Sequence, residues 1–244
     1  MALAGQRVVL IGGSSGIGLA TAKAAAAAGA HLVIAGRSAQ RLARARVAIG
    51  GHVETYPLNA TREREVAAFF RRIGRFHHLS VFVPGATEPT LRKKFAPFLK
   101  MEPDVFRILF HNRFWTQCYA ARYGAPRMPK GGSIVFVSNT QPRKVIPRYS
   151  ASCAASGAIE ALCRILAIEL APIRVNVVAP GFIATEGTQQ IPRHRKRHWD
   201  RLVETQPVSR MGRPGEIAEG ILFLMGNRFV TGTVLEIDGG YKLT

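Results

Sequence analysis

The string Ile11-Gly12-Gly13-Ser14-Ser15-Gly16-Ile17-Gly18 lies between a short apolar run and a helix-like segment. Glycine tolerates positive φ and lets a backbone approach a pyrophosphate closely. A helix starting there offers free N–H groups and the positive end of its dipole to phosphates. Gly12, Ser14, Ser15, Gly16, Ile17 and Gly18 are therefore candidate dinucleotide contacts. Gly12-x-Ser14-x-Gly16 also fits the turn that carries a serine nucleophile in hydrolases. That chemistry needs an acid and then a histidine later at strand ends. His194 and His198 instead lie in a basic run with no acid partner evident. The second apolar run ends Ala35-Gly36-Arg37-Ser38. An acid at this point selects NAD through its ribose hydroxyls, whereas an arginine accommodates the 2′-phosphate of NADP. Charge-assisted bonds to that phosphate are worth about 1.5–3 kcal/mol, roughly tenfold or more in preference. NADP(H) is the expected cofactor, with Arg37 and Ser38 among its contacts.

These groups need a frame, and the apolar periodicity supplies one. Short runs rich in Val and Ile predict strands over Val8–Gly13, His31–Arg37, His52–Asn59, Leu79–Gly85, Ser133–Asn139, Arg174–Gly181 and Thr233–Asp238. Runs apolar on both faces, such as Val175-Asn-Val-Val-Ala179, suit strands covered on both sides. Helical patterns fill the intervals: Gly16–Ala28, Ser38–Ile49, Thr61–Ile73, Asp104–Tyr123, Ser150–Leu170 and Pro214–Met225. Alternating β and α units imply an α/β fold, a doubly wound Rossmann-type parallel sheet of about seven strands with helices on both faces. With 244 residues, 47% hydrophobic, one domain over 1–244 is expected. No continuous apolar run reaches the roughly 18–20 residues of a membrane span, and no signal peptide is read at Met1, so a cytoplasmic setting is expected. Three cysteines are too few and too scattered for a disulfide framework or a zinc site. The 34 Lys+Arg against 15 Asp+Glu give a formal charge of +19, a field that attracts anionic molecules without bearing on the fold.

Nearly the whole chain resembles the short-chain dehydrogenase/reductase family. Its glycine loop resembles Gly12–Gly18, and its third-strand acid, which contacts adenine, corresponds to Asn59, followed by Ala60. Its fourth-strand Asn-Asn-Ala-Gly corresponds to Pro84-Gly85-Ala86-Thr87, a departure, with Gly85 the cofactor contact the resemblance implies. Its helix asparagine, which supports the site through water, resembles Asn112. Its Pro-Gly turn and nicotinamide-contacting threonine resemble Pro180-Gly181 and Thr185, with Ile183 between. The terminal Val234–Gly240 resembles the family's last strand, often used in tetramer packing, so a homo-oligomer, dimer or tetramer, is implied.

The resemblance implies a catalytic role for Tyr149 and for a strand-end serine. The usual serine position reads Asn139, flanked by Ser138 and Thr140. Successive strand residues point to opposite faces, so Ser138 substitutes only if the strand end shifts, while Asn139 can itself donate to a carbonyl oxygen. The family's lysine position reads Cys153. That lysine lowers the tyrosine pKa and binds the nicotinamide ribose, and a thiol carries no positive charge. A tyrosine near pKa 10 is about one part in a thousand ionised at pH 7. Carbonyl reduction survives this loss better than alcohol oxidation, because the tyrosine then need only donate the proton it already holds. Arg143, Lys144 and Arg148 precede Tyr149 and read as surface charges of a loop, with a cation that replaces the lysine as the alternative; Cys153 reads as packing, with a catalytic nucleophile activated by positive surroundings as the alternative.

Two stretches, Ala86–Pro103 and Phe182–Pro214, are long and irregular, as functional loops are. A substrate lid is expected at about 182–213. Its basic run Arg193-His-Arg-Lys-Arg-His-Trp199 could grip a phosphate, a coenzyme A tail or an acidic carrier protein, or form a solvated face. His194 and His198 lack a third ligand, so no metal is expected. Nucleic acid is not expected as a partner. The leading reading is an NADPH-dependent reductase of a carbonyl or polarised double bond acting on a small or carrier-linked, possibly anionic, substrate. The alternatives are a non-redox isomerase, cyclase or lyase on the same scaffold, and an NADPH-sensing or polyanion-binding protein.

Overall fold

Branched side chains stiff at χ1 suit a pleated strand, and strands buried on both faces place alternate residues into two separate cores. In the computed structural model, which describes residues 3–82, 95–189 and 200–244, seven such runs form one sheet. They are β1 (Arg7–Ile11), β2 (His31–Gly36), β3 (Val53–Pro57), β4 (His78–Val81), β5 (Ser133–Val137), β6 (Arg174–Pro180) and β7 (Val234–Ile237). The order is β3-β2-β1-β4-β5-β6-β7 and every pairing is parallel, with Val9 opposite Val33 and Leu79. Val9, Ile11, Val33, Ala35, Ile134 and Phe136 belong to one core; Val8, Leu10, Leu32, Ile34 and Val135 belong to the other. The strict alternation is the period of two that the sequence carries.

Helices cover both faces. The first core is closed by α3 (Glu63–Ile73), α5 (Thr116–Gly124) and α6 (Ser150–Glu169). The second is closed by α1 (Gly16–Ala27), α2 (Ala39–Ile49) and α8 (Pro214–Gly226), with α4 (Pro103–Leu109) and a short α7 (Glu186–Gln189) elsewhere. The chain leaves β3 and returns to the centre as β4 beside β1, so the connections on either side of β1 diverge. At such a switch point the crevice beyond the strands' C-terminal ends is free for a ligand.

Two expectations need correction. The third and fourth strands are shorter than read, Val53–Pro57 and His78–Val81. The single helix expected over Asp104–Tyr123 is interrupted: between α4 and α5, Phe110–Trp115 forms a π-helical segment. Backbone hydrogen bonding sets that interruption, and side-chain periodicity does not report it. Finally, α6 is, by its length of 20 residues and mean hydropathy of 1.5, long and apolar enough to cross a membrane. It packs on β6 and β5, however, and buries Ser152, Ser156 and Glu160, so it is a covering helix of the sheet.

Candidate active site

The loop after β1 is held open by contacts only glycine permits. Gly12 has φ +86°, and a Cβ there would lie 1.9 Å from the Phe82 carbonyl oxygen of the adjacent strand end. A Cβ on Gly18 would lie 2.2 Å from the Gly12 carbonyl oxygen, so the first turn of α1 sits directly beneath the loop. Ser15 caps α1 in extended conformation without a side-chain hydrogen bond to it, leaving the helix's first N–H groups available for phosphate. The side chain of Ser14 reaches Gly36 at the end of β2, and Thr185 lies against Gly16. Arg37, exposed, follows directly, and Ser38 caps α2 by accepting from Arg41 N (3.2 Å). Asn59 is turned into its own loop: Oδ1 accepts from Thr61 N and Oγ1, and its N–H donates to Glu65. Ala60 is buried beside it.

On the far side of the switch point, Pro180 ends β6 and Gly181 packs on Asp238, where a Cβ would lie 2.7 Å from Cα. Ile183 bridges to Gly212, and Thr185 N donates to Thr188 Oγ1 (2.8 Å). The glycine loop, Arg37, Gly181 and Thr185 thus line one edge of the sheet, a cradle that fits an extended dinucleotide. Gly85 and the basic run Arg193–Trp199 lie outside the described residues.

Tyr149 forms the N-cap of α6, and its ring stacks on Phe95 with centroids 4.9 Å apart. Arg148 immediately before it has φ +76°, the one non-glycine residue with positive φ among the described residues. An L-residue in that region costs about 1–2 kcal/mol and is held there by surrounding contacts. One is the bond from Arg148 Nη2 to the Phe95 carbonyl (3.0 Å), which ties the tyrosine to its stacking partner. Cys153, one turn on, donates its thiol to the Gln141 carbonyl (3.4 Å). Gln141 also pairs with Asn139, accepting from Nδ2 (3.2 Å) while its N–H donates to Oδ1 (2.9 Å). Asn139 Nδ2 lies 3.4 Å from Ser152 Oγ. Asn139, Gln141, Ser152 and Cys153 are therefore one polar cluster on the start of α6. Asn112 sits in the π segment, its carbonyl accepting from Thr116 Oγ1 (2.8 Å), beside an open cavity of about 680 Å³ lined by Phe110, His111 and Trp115.

Ser138 points the other way. It is buried, and its hydroxyl donates to Glu160 Oε1 (2.7 Å). Arg143 grips the same carboxylate with both terminal nitrogens, places Nε 2.8 Å from Glu236 Oε1, and donates to the Asn139 carbonyl (3.2 Å). Lys242 pairs with the other Glu236 oxygen. Arg143 is thus not the surface charge its sequence context suggests. It ties the end of β5, α6 and β7 together, and Ser138 is committed to that cluster. Sequence reasoning missed the network although one signal was present: Glu160 is an isolated acid in an otherwise apolar stretch of helix. Lys144 is also not free, since Nζ lies 5.3 Å from the centre of the Tyr241 ring. Cys118 and Cys163 are desolvated, their thiols pushed up to about 11 and about 12, and are inert packing.

A family model described as Enoyl-(Acyl carrier protein) reductase matches residues 12–242. The chain is 31% identical over 242 residues to a 3-oxoacyl-(acyl-carrier-protein) reductase of Mus musculus, covering 96% of this chain and 97% of the relative. It is 30% identical over 249 residues to a galactitol 2-dehydrogenase (L-tagatose-forming) of Cereibacter sphaeroides, covering 99% of this chain and 96% of that one. Among solved structures, a small-chain dehydrogenase in complex with NADPH superposes with a TM-score of 0.81 at 31% identity, covering 98% of this chain and 100% of that chain.

Proposed function

Because the chain belongs to the short-chain dehydrogenase/reductase family, we propose that it is an NADPH-dependent reductase of a carbonyl or polarised double bond, with Tyr149 as proton donor. The observation that carries this reading is the pairing of a glycine-lined dinucleotide cradle, with Arg37 at its ribose end, and a tyrosine held at a helix start on the same sheet edge. Gly12–Gly18, Arg37 and Thr185 would hold the cofactor, which supplies a hydride when bound. Tyr149 gives its proton to the substrate oxygen as negative charge develops there. Asn139 Nδ2 orients this oxygen by exchanging its long bond to Ser152 for one to the substrate, whereas Ser138 stays bound to the Glu160 carboxylate. Cys153 holds the loop through Gln141 and brings no positive charge to the site.

The substrate is a small or carrier-linked molecule, and the net charge of +19 favours an anionic one. The segment 182–213 serves as the lid over it. Exposed Ile108 and Trp115 on the α4–π face support assembly into a dimer or tetramer, and the three free cysteines suit a reducing cytoplasm. The relatives are named as reductases and dehydrogenases, which does not favour the non-redox and sensing readings.

The test is NADPH oxidation across ketones, quinones, enones and acyl thioesters, with Tyr149→Phe alongside. We expect turnover to fall about 10²–10⁴-fold in the variant, the range of a lost general acid, with NADPH affinity retained. Tight NADPH binding without consumption of any substrate would overturn the reading.

A further inference from the structure

Helix caps favour short polar side chains that bond the first free N–H groups. Tyr149 occupies that place at α6, with φ −107° and ψ 20°, and makes no side-chain hydrogen bond to the helix. Among the described residues none bonds its hydroxyl either, so the packing of its ring sets where that hydroxyl points. Phe95 supplies the packing, with ring centroids 4.9 Å apart and 26° between the planes. Arg148 reaches 53 residues back along the chain to donate to the Phe95 carbonyl (3.0 Å). Two consecutive residues, Arg148 and Tyr149, therefore hold the backbone and the ring of one phenylalanine. The next two continue the seam. Ser150 Oγ lies 3.7 Å from Met101 Sδ, and Ala151 is buried with Met101, Val105 and Leu109, the cluster on which Phe95 also packs. Arg148 keeps φ +76°, a conformation that costs glycine far less, although its side chain is exposed. Burial does not explain an arginine there, whereas its bond to the residue covering the tyrosine does.

We propose that Phe95, fixed by Arg148, is a positioning residue for Tyr149 that aims the phenol hydroxyl at the substrate oxygen. The proposal rests on the reductase reading and deepens it. Swinging Tyr149 about its Cα–Cβ bond would slide its ring off Phe95 and forfeit the stacked contact. The proton donor is thus held in one direction before substrate arrives, and the search for a reactive geometry is shortened. Because Cys153 brings no cation to the phenol, ring packing carries the task of aiming it. In the step this serves, a hydride adds to the substrate carbon and the carbonyl π pair moves onto oxygen. That oxygen takes the Tyr149 proton as the phenol O–H bond breaks, and solvent returns a proton to the phenolate. Phe95 and Arg148 exchange neither protons nor electrons. Their contribution is orientation.

Phe95→Leu keeps an apolar side chain on the Met101 cluster and removes the flat ring. With a carbonyl substrate that the unaltered protein reduces, we expect kcat to fall about 10–100-fold, the cost of misplacing a reacting group by up to about 1 Å. KM for the substrate and for NADPH should stay within about twofold, a split that general destabilisation does not produce. Phe95→Tyr, which restores the ring face, should recover most of the rate. Arg148→Gly removes the guanidinium and relieves the backbone, so kcat should fall while stability to urea is kept or raised. Unchanged kcat in Phe95→Leu beside a dead Tyr149→Phe would overturn this proposal and leave the reductase reading standing. A loss of rate that Phe95→Tyr fails to restore would overturn it too, marking lost packing alone. Absence of NADPH turnover by the unaltered protein would overturn both.

Discussion

At the scale of the residue, the chemistry here turns on where charge is and is not available. Cys153 donates to a carbonyl and offers no cation, whereas Arg37 stands exposed at the end of β2 with no acid beside it in sequence. A 2′-phosphate placed there meets a planar donor fork suited to it. Arg37→Asp should therefore weaken NADPH binding about tenfold or more and leave NADH binding much less affected. Fluorescence titration with both cofactors measures the ratio, and an unchanged ratio would remove Arg37 from the cofactor site. Asn139 and Ser138 illustrate the same point in geometry. They are adjacent in sequence, yet one joins Gln141 and Ser152 while the other is fixed to Glu160.

At the scale of the element, the arrangement of β5, α6 and β7 depends on Arg143. Glu160 is 6% exposed on the buried face of α6, and an ionised carboxylate there is tolerable only with a partner. Removing the guanidinium strands that charge and releases Glu236 at once. Arg143→Met should destabilise the protein by about 3 kcal/mol, the usual result of breaking a largely buried pair from one side. Urea unfolding measures this, and Arg143→Met combined with Glu160→Gln should recover part of the loss, because the stranded charge is then gone. Additive losses would mean that the pair is not coupled. The π segment Phe110–Trp115 belongs to this scale as well. It lies between α4 and α5 and packs on α6, bringing Arg113 Nη1 to Ser156 Oγ (3.3 Å), with burial holding that guanidinium down at about 10.

At the scale of the molecule, stability should depend on pH through the edge of the sheet opposite the active site. His78 begins β4, 4% exposed, between Ser133 Oγ (2.7 Å from Nδ1) and Gln6 Oε1 at Nε2. The Gln6 oxygen can only accept, so Nε2 carries the proton, Nδ1 accepts from Ser133, and the ring is neutral. Desolvation, then the charges of Arg174 and His77, push its pKa down to about 4 from an ordinary 6.5. Between those values the unfolded chain binds a proton that the folded chain does not, so stability falls as pH falls. The contribution, about 3 kcal/mol at most, is complete above pH 6.5 and gone below about pH 4. Urea unfolding should lose about 2 kcal/mol between pH 7 and pH 5, and His78→Gln should flatten most of that slope. An equally steep slope in the variant would assign the effect to other groups.

The parallel sheet and the dinucleotide cradle were legible in the sequence because their causes are local. Strand periodicity reports which residues face a core, and Gly12 and Gly18 occupy places where a Cβ would strike backbone one loop away. The likeness around Tyr149 was legible for the same reason, being a short motif on one helix start. Other features lay beyond such reading because their causes join distant parts of the chain. Arg143 looks like a loop cation until β7 brings Glu236 to it, and Ser138 looks free until α6 brings Glu160. Tyr241 looks like the residue after a terminal strand until the order β5-β6-β7 sets it beside Lys144 and Phe182. Local pattern determines which elements form; the contacts between their ends, set by strand order, decide which side chains remain available for chemistry.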